Sequence, residues 1–429
     1  CITTLPPSLR FAGVAVYRQI SHNGDMHLLK TLMFSMVLAV LVACTDSGVP
    51  FEPIALAVPA AGPAIGPRLS GGNGDPLLLS WMEEDEDGGS LHYSRLVDNG
   101  WSEARSVVAG VDMFVNWADM PSVQPMNDGS MAAHWLEMSA DLTYAYDVVF
   151  AQSADGGETW STPIRPHSDG TPTEHGFVSM YGAGSGTGLI WLDGRKMVNE
   201  GGDDPTATGM TLRAAVIGQD SSINDEQLVD ELICDCCQTD IALAASGPVA
   251  DYRDRSTAEI RDISVARFLD GRWRPGTTLG PDNWEIPGCP VNGPSIAADG
   301  DFVAVARFTA AGGEPKVKLS LSGDSGETFG DDIEIASGQT LGRVGVVHLP
   351  DGSVAVSWLR TSAERSNEVV VRKVSADGQA SAVHAVARDV GSFSVPQIAV
   401  SGDDLVFVWT ESVDSVNSVH SARVPVASL

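Results

Sequence analysis

The chain reads as an all-β protein, a β-propeller of four-stranded blades, and three features of the sequence predict it. One phrase recurs: a short apolar strand, a Gly or Asp-Gly turn, then an apolar strand ending on a bulky residue. The endings are Trp81, Trp135, Trp191, Tyr252, Arg307, Trp358 and Trp409, spaced 54, 56, 61, 55, 51 and 51 residues apart, and such self-similarity marks a ring or stack of repeated units. Runs such as Phe302–Arg307 and Ser353–Trp358 read as strands, and no long stretch shows helical periodicity. A chain of 429 residues that is 43% hydrophobic, with 45 glycines and 24 prolines, has the composition of a large, turn-rich globular protein.

Taken in order, residues 1–25 precede the methionine Met26 and are expected to lie outside the mature protein. Residues 26–44 carry one lysine, a short apolar run and the sequence Leu41-Val-Ala-Cys44. This is the pattern of a secretory signal, too short to span a membrane, and its end resembles a bacterial lipobox. The resemblance implies cleavage before Cys44 and lipidation of that thiol, which would anchor the protein in the cell envelope, facing periplasm or exterior. Residues 45–66 form a Pro/Ala/Gly-rich leader, and 67–429 hold the repeats.

Within each repeat a third strand follows, as at Tyr146–Ala151, Ile263–Arg267 and Val369–Arg372, then a turn and a more polar fourth strand. Four strands make one propeller blade. The count favours seven blades, with six as the alternative. The last unit has only three strands, so its outer strand is expected from Phe51–Ala57, which would close the ring and cover its edges.

The turns between third and fourth strands carry a family resemblance. Ser153-Ala-Asp155-Gly-Gly157-Glu-Thr-Trp160 matches the Asp-box pattern Ser-x-Asp-x-Gly-x-x-Trp, and Ser322-Gly-Asp324-Ser-Gly326-Glu-Thr-Phe329 matches with Phe for Trp. The region from Pro67 onward therefore resembles the sialidase/neuraminidase superfamily of Asp-box, or BNR-repeat, propellers. The resemblance implies structural turns on the side away from the active site, and an arginine triad for the substrate carboxylate. It also implies a tyrosine nucleophile assisted by glutamate, with an aspartate as acid/base. Sialidases have six blades and a late tyrosine, whereas no tyrosine here follows Tyr252, and Gly66-Pro-Arg68-Leu69 stands where the family has Arg-Ile-Pro.

In a propeller, the loops entering the innermost strands and those leaving the second strands gather around one mouth of the central funnel. Mapping them places Arg68, Asp119, His175, Arg343 and the segment Cys234–Cys237 there, with Asp193, Arg253 and Arg255 from the second set. Guanidinium groups match carboxylates bidentately, so Arg68, Arg253 or Arg255, and Arg343 are the expected substrate-binding set, with His175 beside them. An alternative pairs Arg253 and Arg255 with Asp254, Glu259 and Asp262. Tyr252 is the nucleophile candidate, with Asp119 or Asp193 as acid/base, and Trp117 offers a sugar-stacking face.

Cys234, Cys236 and Cys237 sit ahead of one innermost strand and Cys289 ahead of the next, each leading sulfur seven residues before its Ile, Ile241 or Ile296. Disulfides between neighbouring blades, a copper or zinc site and a redox-active thiol all remain open. The formal charge of −30, from 26 basic and 56 acidic residues, repels phosphate backbones and excludes nucleic acid as a partner. The expectation is a monomeric propeller, membrane-bound only through its lipid, that binds a carbohydrate or small anion, with glycoside hydrolysis, a cysteine-based module and a non-catalytic scaffold as alternatives.

Overall fold

The computed structural model describes residues 49–429 apart from Asn73, Asn99, Asn127, Ser185 and 198–208. Cys44 and the proposed signal and pre-signal segments lie outside the described residues.

The described chain forms seven antiparallel sheets, each one blade. The innermost strands are Ala64–Gly72, Ser122–Pro125, His175–Ala183, Asp240–Ala244, Ser295–Asp299, Thr340–His348 and Gln397–Ser401. Each pairs with the following strand, and all seven bulky phrase endings fall on those second strands. Seven units, rather than the six of sialidases, is the observed count. In the second blade, the outer position is held by a single bridge between Phe150 and Ile164. In the seventh, Ile54–Leu56 pairs antiparallel with Ser421–Arg423 as the outer strand.

A blade buries its faces only against neighbours, and the apolar clusters follow that rule. Separate cores join blades one and two around Tyr93 and Trp135, two and three around Phe150 and Trp191, and three and four around Leu212 and Tyr252. The series continues through Val249 with Val305, Val317 with Trp358, and Leu359 with Phe407 to Trp81 with Val408, which joins the seventh blade to the first.

Four of the five tryptophans ending the second strands meet in one way the need of a buried N–H for an acceptor. It is supplied two residues along: Trp81, Trp135, Trp191 and Trp409 donate to Glu83, Glu137, Asp193 and Glu411 at 2.7–2.9 Å.

The turns after Ser153 and Ser322 share one geometry. In each, the serine hydroxyl donates to the aspartate (2.7 Å), which accepts the amide and hydroxyl of the threonine four residues beyond it. These contacts hold both exposed carboxyls down at about 2. The turns lie between third and fourth strands, at the end of the ring opposite the funnel mouth.

Candidate functional site at the channel mouth

The seven innermost strands surround a central cavity of about 300 Å³. Its mouth is entered past Arg68 and Arg343. Arg343 is placed by a left-handed backbone (φ 55°), with its amide donating to Asn292 Oδ1 (2.8 Å). Its guanidinium lies over the Trp117 ring, 5.0 Å from the centroid, and its Nε and one terminal nitrogen are buried without a partner. Burial pulls this group down to about 10, as expected of a desolvated cation. Arg68, half-buried, makes no side-chain hydrogen bond or ion pair among the described residues; its charge is felt by Asp119 and by Asp240. Trp117 also meets the edge of Phe393 (5.2 Å), which is 69% exposed.

Beside Arg68 lies a trio that the sequence mapping found only in part. Asp119 is buried, accepts the Phe177 amide (2.7 Å) and receives the Tyr146 hydroxyl (3.0 Å), which also approaches Glu174 Oε1 (2.7 Å). A phenol has one proton for two acceptors, so one carboxyl must itself be protonated. Desolvation acts the same way, raising Asp119 to about 7 and Glu174 to about 8. Glu174 directly precedes His175 in the entering loop, and Tyr146 opens the third strand at the same end. The mapping counted two loop classes, which leaves out the start of the third strand and so Tyr146, and in the entering loop it singled out His175 rather than Glu174.

Other predicted residues are placed elsewhere. Tyr252 is a correction: it sits in the core between blades three and four, 1% exposed, with its hydroxyl donating to Asp230 (2.6 Å). Asp193 accepts the Trp191 indole and is gripped by Arg195 (2.6 and 2.7 Å), so it is a structural acceptor rather than a free acid. Arg253 turns inward, donating to the carbonyls of Arg261, Asn292 and Phe308 at 2.6–3.0 Å with Trp284 over it (5.0 Å). Those acceptors take four of its five N–H donors, and at 2% exposure the group is buried away from the mouth. Arg255 pairs with Glu259 (2.7 Å) and Asp235 (3.2 Å), so the ion-pair alternative holds there with Asp235 as a further partner.

His175 is also withdrawn from the mouth. It is fully buried and stacks on His167 (3.9 Å, 5° between planes), with Asp147 and Asp169 at the ring edges. The cluster has donors for a metal ion. Parallel imidazoles, however, aim their lone pairs in separate planes, so one ion could take only one ring, and Arg165 and Arg195 already supply cations here.

Cys236 and Cys289 form a disulfide linking the loops of blades four and five. Cys234 and Cys237 are buried free thiols, 3.5 Å apart, and Arg261 donates to Cys234 (3.3 Å). The disulfide ties up two of the four sulfurs expected for copper or zinc, and the guanidinium opposes a cation at the rest. Trp117 stands at the mouth as expected.

No family model and no curated protein matches the chain. Among solved structures it is similar to the GH93 α-L-arabinofuranosidase of Fusarium graminearum in complex with arabinobiose, at 12% identity over 88% of this chain and 99% of that one, TM-score 0.51. It is also similar to the NanB sialidase of Streptococcus pneumoniae (11% identity, 83% and 84% coverage, TM-score 0.45) and to a protein of unknown function from Dyadobacter fermentans (12%, 88% and 98%, 0.47). The chain folds as a seven-bladed β-propeller, as the likeness to the arabinofuranosidase also shows. At such identity the likeness shows the ring alone, and the site is read below from this chain's own residues.

Proposed function

We propose that this sialidase-like propeller is an extracytoplasmic protein, a monomer anchored through a lipid on Cys44, that binds an acidic carbohydrate at its channel mouth. Arg68 and Arg343 take the acid group, and Trp117 with Phe393 takes the sugar face. The observation that carries this reading is the pair of guanidiniums at the mouth without ion-pair partners among the described residues, in a chain whose formal charge is −30. A desolvated cation left unpaired by its own protein is stabilised by an arriving anion.

Hydrolysis of an acidic glycoside is the finer reading. The solved arabinofuranosidase was crystallised with arabinobiose, which fits a carbohydrate ligand for this ring. Glu174, held up at about 8, keeps its proton at neutral pH and can donate it to a leaving oxygen. Tyr146, 1% exposed like Tyr252, holds Glu174 beside Asp119 through its hydroxyl rather than attacking the sugar.

Calorimetric titration with N-acetylneuraminate, glucuronate and their neutral counterparts tests the binding. Acidic sugars should bind and neutral ones fail, and Arg343→Ala should weaken binding by about 10-fold or more, the worth of a charge-assisted hydrogen bond. Equal binding of acidic and neutral sugars would sink the reading. On a chromogenic sialoside or glucuronide, Glu174→Gln should lower kcat by about 100-fold or more with KM little changed; binding without turnover would leave a non-catalytic receptor.

A further inference from the structure

The four cysteines carry an inference independent of the carbohydrate. Cys234 Sγ lies 3.5 Å from Cys237 Sγ and 4.0 Å from Cys236 Sγ, and Cys236 is already bonded to Cys289. Cys234 and Cys237 are buried, Cys236 is half-buried and Cys289 is exposed, so a buried dithiol lies directly behind a disulfide that reaches solvent. We propose that this loop is a thiol–disulfide exchange site, in which the Cys234/Cys237 dithiol and the Cys236–Cys289 disulfide pass one oxidation between them, with Cys234 as the relay.

The steps balance within the molecule. The Cys234 thiolate attacks Sγ of Cys236, a Cys234–Cys236 bond forms, the Cys236–Cys289 bond breaks and Cys289 leaves as a thiolate. Cys237, giving up its proton, then attacks Cys234, forming Cys234–Cys237 and expelling Cys236 as a thiolate. The released thiolates take up the protons lost by Cys234 and Cys237. The dithiol loses two electrons, the disulfide gains two, and no outside oxidant enters.

The surroundings fit a nucleophilic thiolate rather than an inert buried thiol. Arg261 donates to Cys234 (3.3 Å), the Asn292 amide points at Cys237 (3.4 Å), and the hydrogen bond from Cys237 together with the charges of Arg253 and Arg261 holds the Cys234 thiol down at about 6. Reactive cysteines occur in such electropositive settings, and exchange proceeds through the thiolate. Cys237, deeper and next to that thiolate, is pushed up, as suits the partner that attacks second.

The test starts from native protein reduced and then given one equivalent of diamide, so that each chain holds one disulfide. Samples are acid-quenched over time, alkylated and mapped by mass spectrometry. Both Cys236–Cys289 and Cys234–Cys237 pairings should appear and interconvert, faster as pH rises through about 6. Cys237→Ser should accumulate Cys234–Cys236, whereas Cys234→Ser should hold only Cys236–Cys289. Persistence of Cys236–Cys289 as the sole pairing in the unsubstituted protein over a day at pH 8, or redistribution unaffected by Cys234→Ser, would overturn the proposal.

Discussion

Buried indoles set the first requirement at the scale of single residues. Each of four tryptophans finds its acceptor two residues along, so Glu137→Ala should strand the Trp135 N–H and destabilise by about 1–3 kcal/mol in denaturant unfolding. Asp193→Ala should cost more, because it also removes the nearest of the carboxylates that pair with the partly buried Arg195. The trio at the mouth gives a pH signature. Asp119 and Glu174 keep protons in the folded state up to about 7 and about 8, while the unfolded chain gives them up near pH 4. Folding therefore takes up protons across that window, and their contribution to stability is full below about pH 4 and is lost as pH rises toward 8. Melting temperatures measured from pH 4 to 8 should fall less steeply in Asp119→Asn and Glu174→Gln than in the parent. At this scale the sequence was least informative. Loop mapping placed Arg68, Asp119 and Arg343 at the mouth, but could not say that Arg253 would spend its donors on three carbonyls or that Tyr252 would face a blade interface, because side-chain direction depends on contacts from other repeats.

Strands and turns were far more legible, since their signals are local. The bulky phrase endings all lie on second strands, and the two Ser-x-Asp-x-Gly turns fold alike because the hydrogen bonds that shape them close within the motif. Gly157 shows the constraint: its φ is +88°, and a Cβ there would sit 2.1 Å from the Tyr93 hydroxyl, which donates to the Gly157 carbonyl. Gly157→Ala should destabilise by about 1–3 kcal/mol from strain alone, more if Tyr93 cannot shift, and it should leave sugar binding at the opposite end intact. The outer positions were less legible. In blade two a single bridge stands where a strand was expected, because an edge strand pairs on one side only and its sequence is weakly constrained.

Over the whole molecule, the repeat spacing carried the ring, and the blade-to-blade cores carry its cohesion. The negative charge is spread over the chain, while the two guanidiniums at the mouth make no ion pair among the described residues. That contrast makes the mouth the place where an anion is drawn in, steeply so at low ionic strength. The most direct measurement is a crystal of the protein soaked with a sugar acid. The account predicts the carboxylate within hydrogen-bond distance of both Arg68 and Arg343, with the ring against Trp117 or Phe393, and no such density in Arg343→Ala. A sugar acid bound elsewhere on the propeller, with both guanidiniums still unpartnered, would contradict it.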